Sequence, residues 1–114
     1  MKQKSFLVAM SLLLFSSLSP AENVWKNSTY IEGVQALHTG GYILYLPPDS
    51  SLSCQEGGKL FYLAANQNGM TQEGLSNILS VALVAYTAKR QVSVLYDDSS
   101  SSCYVQQVYL KGDG

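Results

Sequence analysis

TQEGLSNILSVALVAYTAKR, Thr71 to Arg90, is the stretch on which the fold turns. Leu75, Ile78, Leu79, Ala82, Leu83 and Tyr86 recur at steps of three and four, the period of one helix face. Thr71 is a suitable N-cap, and Glu73 complements the positive first turn. Lys89 and Arg90 complement the negative end. Val81, Val84 and Ala85 widen the apolar face, so the spacing predicts a well-buried helix.

On either side the period changes to two. Three strand-like segments precede the helix: Tyr30 to Leu37, Tyr42 to Leu46, and Lys59 to Ala65. Their aromatic and branched residues suit a pleated surface. His38-Thr39-Gly40-Gly41 and Asn66 to Gly69 read as turns, and Pro47-Pro48-Asp49 ends the second strand. Asn27-Ser28-Thr29, ahead of the first strand, also reads as a polar turn. Two strands follow the helix, Gln91 to Tyr96 and Cys103 to Lys111. Asp97 to Ser102 forms a polar turn between them. In the last strand Val105, Gln107 and Tyr109 oppose Tyr104, Val108 and Leu110.

The beginning of the chain bears on compartment. Lys2 and Lys4 precede an apolar run from Ser5 to Phe15, about ten residues long, which is a signal-peptide core and short of a membrane span. Small residues at Ser19 and Ala21 fit a cut before Glu22. Residues 1–21 are therefore expected to be a signal peptide and 22–114 a single small domain, with no membrane span after processing. The product is exported, to the periplasm or beyond the cell.

Cys54 and Cys103 are the only cysteines. In an exported chain such a pair predicts a disulfide. Reduced thiols or a metal pair are the competing readings, but a tetrahedral metal site would have only His38 to assist. After the cut, Lys26, Lys59, Lys89, Arg90 and Lys111 face Glu22, Glu32, Asp49, Glu56, Glu73, Asp97, Asp98 and Asp113. This mildly acidic balance, without a basic stripe, argues against nucleic acid and anionic membranes as partners.

Three strands, a helix and two strands give a mainly β fold with one helix, order βββαββ. Turn-bounded short strands favour a small barrel or sandwich over a parallel sheet. The five-stranded OB-like barrel carries its helix between the third and fourth strands. In that topology the third and fifth strands run side by side, which brings Cys54 and Cys103 to disulfide range. An open α+β sheet with one packed helix is the alternative.

Groups for catalysis are few. His38 is the single histidine, and no nucleophile-elbow motif surrounds a serine. Asp97-Asp98 reads as a solvated hairpin turn, since neighbouring strand residues point to opposite faces. No metal site and no cofactor are expected, and the chain is not expected to be an enzyme. The surplus lies in the eight tyrosines. Tyr42, Tyr45, Tyr104 and Tyr109 are the candidate ligand-binding residues, because rings with a polar tip suit both sugars and protein surfaces.

The element order, the small exported domain and the Cys54–Cys103 pair resemble the OB-fold binding subunits of AB5-type bacterial toxins, including the subtilase cytotoxin and pertussis-like groups. The layout is also similar to other small secreted proteins of Gram-negative bacteria. The toxin resemblance covers the whole mature chain at the level of topology. It carries no residue motif of a sugar site, so no binding residue is transferred. It implies a noncatalytic, pentameric module that binds host glycans. The expectation is accordingly an exported binding module for a glycan or a protein surface, with a homo-oligomer as one assembly. A periplasmic protein-binding domain, of inhibitor or immunity type, is the alternative.

Overall fold

A computed structural model of the chain describes residues 23–112, so the signal peptide expected over residues 1–21 lies outside the described residues. Six strands, one long helix and one short helical turn follow in the order β1 (Asn23–Thr29), β2 (Gly33–Ala36), β3 (Tyr42–Tyr45), α1 (Gln55–Gly58), β4 (Leu60–Leu63), α2 (Gln72–Ala88), β5 (Val92–Asp97) and β6 (Val105–Leu110). They form two antiparallel three-stranded sheets, β1-β5-β6 and β2-β3-β4. The fold is mainly β, as the sequence implies.

The strand count differs from the expected five. Asn27-Ser28-Thr29 was expected to be a turn but belongs to β1, which pairs with β5 from Asn23↔Asp97 to Thr29↔Val92. The polar triplet is accommodated by a bulge between Lys26 and Thr29, with Ser28 at φ 52°. The expected Tyr30–Leu37 strand shortens to β2. Between β1 and β2 the chain changes sheets, leaving Tyr30 exposed while Ile31 enters the core. The two sheets do not close into a continuous barrel ladder. Among the described residues, one isolated parallel bridge, Tyr62↔Tyr104, joins the end of β4 to the approach to β6.

The core lies between the sheets and the helix. Leu44, Phe61 and Leu63 come from one sheet, Val92, Val94, Tyr96 and Val105 from the other, and Leu75, Ala82 and Ala85 from α2. Phe61 meets Tyr96 edge to face, with ring centroids 5.0 Å apart, a favoured aromatic geometry. In β6 the expected two faces are re-sorted. A register shift opposite Leu95 and Tyr96 makes Gln106 the extra residue, so Val105 faces inward together with Val108 and Leu110.

Helix α2 begins where the sequence places it. Thr71 Oγ1 accepts a hydrogen bond from the Gly74 N–H at 2.9 Å. Lys89 ends it in the left-handed conformation, at φ 55°. The expectation of a broadly buried helix is corrected. Its inner face runs Leu75, Ile78, Ala82, Ala85, while Leu83, Val84 and Tyr86 are exposed. The sheets offer only one side to cover, and the small Ala82 and Ala85 let the helix approach closely there.

Cys54 and Cys103 form the expected disulfide, with Cα atoms 5.6 Å apart. It links the segment before β4 to the segment before β6. Gly58, at the end of α1, has φ +80°, and a Cβ there would lie 2.0 Å from the Asp49 carbonyl oxygen. Only glycine permits this crossing beside the disulfide. No helix among the described residues is long and apolar enough to cross a membrane.

Candidate binding surfaces

The four candidate tyrosines do not converge. Tyr42 packs against the core. Tyr45 donates its hydroxyl to Gln35 Oε1 and lies beneath Lys59 Nζ, 5.8 Å from the ring centroid. Tyr104 and Tyr109 line two separate depressions. The period-two pattern shows that tyrosines lie on strands. It does not show that the chain bulges and changes sheets, and those events separate the rings.

Tyr104 lies in a cleft of about 410 Å³ at the seam where the two sheets meet. The β2–β3 turn supplies Thr39, Gly40 and Gly41. The end of β4 and the following turn supply Tyr62, Leu63 and Asn66, and the first residue of α2 supplies Gln72. Its sole titratable side chains are the two tyrosines. Hydroxyl, amide and aromatic groups therefore set its chemistry. Gly41 makes the cleft wall thin: a Cβ there would come within 2.8 Å of the Leu63 carbonyl oxygen. Tyr62 and Thr39 were not among the sequence candidates. The sequence places Tyr62 inside the expected third strand and Thr39 inside the His38–Gly41 turn, and no local signal brings the two segments together with Tyr104.

The cleft is braced from the side by Asp97. This residue was expected in a solvated turn, but it ends β5 with 4% of its surface exposed. Asn68 Nδ2 donates to its Oδ2 at 2.6 Å, and the Ser99 N–H donates to its Oδ1 at 2.9 Å. Its own N–H donates to the Tyr104 carbonyl at 2.9 Å. The backbone hydrogen bond from Ser99 holds the Asp97 carboxyl below the usual carboxylate value, with Ser99 and Asn68 side chains helping and burial opposing. Asp97 thus ties the turn after β4 to the backbone of Tyr104. Asp98, its neighbour, is exposed.

Tyr109 belongs to the outer face of β1-β5-β6. There it shares a shallow depression with Trp25, Asn27, Ser93 and Lys111. Trp25 is 44% exposed and Tyr109 60%. A third surface is α2. From Gly74 to Ala88 it carries no charged residue. Leu83 and Val84 are 42% and 52% exposed. Two of its hydroxyls are turned onto the helix backbone: Ser80 donates to the Ser76 carbonyl at 2.9 Å and Thr87 to the Leu83 carbonyl at 2.8 Å. This leaves the face less polar than its composition suggests.

His38 is exposed in the turn after β2. Among the described residues no group of three or more His, Cys, Asp or Glu side chains is placed to hold a metal ion. No protein-family model matches the sequence, and no curated protein matches it significantly.

Proposed function

We propose that this chain is an exported, noncatalytic binding module whose ligand is a glycan held at the seam cleft. The observation that carries the reading is the cleft's lining. Tyr62 and Tyr104 stand beside Thr39, Asn66 and Gln72, with no carboxylate, amine or imidazole among the lining side chains. Aromatic rings stack on the C–H faces of sugars, and amides and hydroxyls exchange hydrogen bonds with sugar hydroxyls. A neutral saccharide needs nothing more. The cleft's volume falls within the usual range for small-ligand sites, roughly 300–1,000 Å³.

The strand order supports an OB-like barrel as the frame. The segment β1–β2 serves both sheets, α2 lies between β4 and β5, and the Tyr62↔Tyr104 bridge is where closure would begin. The disulfide supports export, since such bonds persist in oxidising compartments. The exposed apolar side of α2 supports assembly of several copies or, in the second reading, a periplasmic protein partner of inhibitor or immunity type.

A glycan array probed with the oxidised protein tests the proposal. Saturable binding to neutral sugars that is lost in both Tyr62→Ala and Tyr104→Ala supports it. An array without saturable signal removes it, and co-purification of one protein from the same cell would then favour the second reading.

A further inference from the structure

We infer that the outer face of β1-β5-β6 is a second binding platform, which takes an extended, neutral β-1,4-linked polysaccharide chain along the line from Trp25 to Tyr109. The face is built by alternation. Val92, Val94 and Tyr96 of β5 point into the core, which turns Ser93 and Leu95 outward between the two flanking strands. Trp25 of β1 stands opposite Leu95, and Tyr109 of β6 stands opposite Ser93. The two rings therefore sit on strands separated by β5, one two-residue step apart along the sheet. From strand spacing and rise their backbone positions are about 12 Å apart.

That separation decides the ligand class. A β-1,4-linked chain of equatorial sugars is a flat ribbon that presents the same C–H face at every second residue. Two rings anchored at backbone positions about one disaccharide repeat apart can engage alternate sugars of such a ribbon, whereas a disaccharide would engage one ring at a time. The groups between the rings fit the same ligand. Asn27, which is exposed, offers its amide beside them, while Ser93 is buried beneath the depression with its Oγ accepting from the Ser28 N–H at 3.4 Å. Lys111 Nζ donates to Ser28 Oγ at 3.1 Å, which holds the ammonium at the rim, and no carboxylate lines the depression. The surface is open and shallow, which suits a polymer passing over it. No lining residue is shared with the seam cleft.

The test is calorimetric titration of the oxidised protein with cellohexaose and chitohexaose and with the corresponding disaccharides. At least one hexasaccharide is expected to bind about tenfold more tightly than its disaccharide, the gain from a second stacked ring. Trp25→Ala and Tyr109→Ala are each expected to abolish that gain, while Tyr109→Phe, which keeps the ring, preserves it. Both residues are exposed, so a matching circular dichroism spectrum establishes that the variants fold. In Tyr104→Ala the gain of hexasaccharide over disaccharide is expected to persist, whatever binding that variant loses at the seam cleft, which separates this platform from the cleft. The inference is overturned if neither hexasaccharide binds, if chain length has no effect, or if Trp25→Ala binds like the unaltered protein. Loss of the chain-length gain in Tyr104→Ala but in neither Trp25→Ala nor Tyr109→Ala would likewise overturn it, by moving the ligand to the seam.

Discussion

The Tyr62 peptide N–H donates to the Cys103 carbonyl at 3.3 Å, and Cys103 is itself bonded to Cys54. The backbone ladder joining the two sheets among the described residues is thus one isolated bridge, its N–H shared with the Ser102 carbonyl, set beside a covalent link. The disulfide closes a loop with a sequence separation of 49. In the chain-entropy model such a loop contributes about 4 kcal/mol. Replacing both cysteines by serine is expected to lower stability by about 2–5 kcal/mol. Chemical denaturation followed by circular dichroism measures this loss. Amide exchange adds a local readout, in which the Tyr62 N–H loses protection earlier than Val94 in the centre of β5. Unchanged denaturation under reductant would show that the bond does not support the seam.

Asp97 makes the fold acid-sensitive. Its folded value lies below the ordinary carboxylate value because Ser99 and Asn68 donate hydrogen bonds to the charged form. The stability this provides is fully present above the unfolded value of about 4 and is lost as pH falls through the folded value. Asp97→Asn is expected to be less stable at neutral pH, by about 1–3 kcal/mol for weakened bonds to a buried acceptor. It is also expected to show a shallower decline below about pH 4. Urea midpoints measured across the acid range give both quantities. Equal slopes in the two proteins would assign the acid limb to other carboxylates.

Gly58 offers a sharper stability test. A methyl group there meets the Asp49 carbonyl, and the backbone lies at a φ that side-chain-bearing residues rarely adopt. Asp49 cannot simply withdraw, because its N–H donates to the Gly57 carbonyl at 2.8 Å and its side chain bonds Ser51 and faces Lys26. Gly58→Ala is expected to cost about 3 kcal/mol, the upper end for backbone strain. The same substitution at Gly57, whose Cβ position is open, carries only the φ penalty of about 1–2 kcal/mol. Thermal melting of the two variants side by side checks the order, and a Gly57→Ala loss as large as that of Gly58→Ala would remove the steric explanation.

Local signals in the sequence located the long helix, its Thr71 cap, five of the six strands and the disulfide, because each follows from periodicity, capping chemistry or cysteine count. The missed strand β1 shows where such signals stop. Asn27-Ser28-Thr29 is polar and turn-like, yet Val24 and Lys26 are half-buried beside it and the ladder to β5 holds it extended. Pairing partners decide that strand, and they lie far along the chain. Tyr109 was legible as an exposed candidate, but Trp25, which shares its face, was not, since the register connecting them exists only once β5 lies between. Asp97 was misread for the same reason. Its partner Asn68 is brought to it by the tertiary fold.

The exposed side of α2 yields the last prediction. Leu83, Val84 and Tyr86 lie outside the core, and Gly74 to Ala88 lacks any charge that would favour solvent. Their burial in an assembly would explain a helix that is apolar on more than one side. Val84→Lys and Leu83→Glu remove no core contact, so each is expected to change monomer stability by less than about 0.5 kcal/mol. Light scattering on a sizing column gives the solution mass. Should several copies associate through this face, either charge substitution dissociates them, because a lone charge buried at an interface costs several kcal/mol. A multimer that survives both substitutions would place its interface on the strand edges instead. A monomeric wild-type protein would leave the apolar face to a different protein partner, and affinity capture compared between wild type and Val84→Lys would then identify it by the band that disappears.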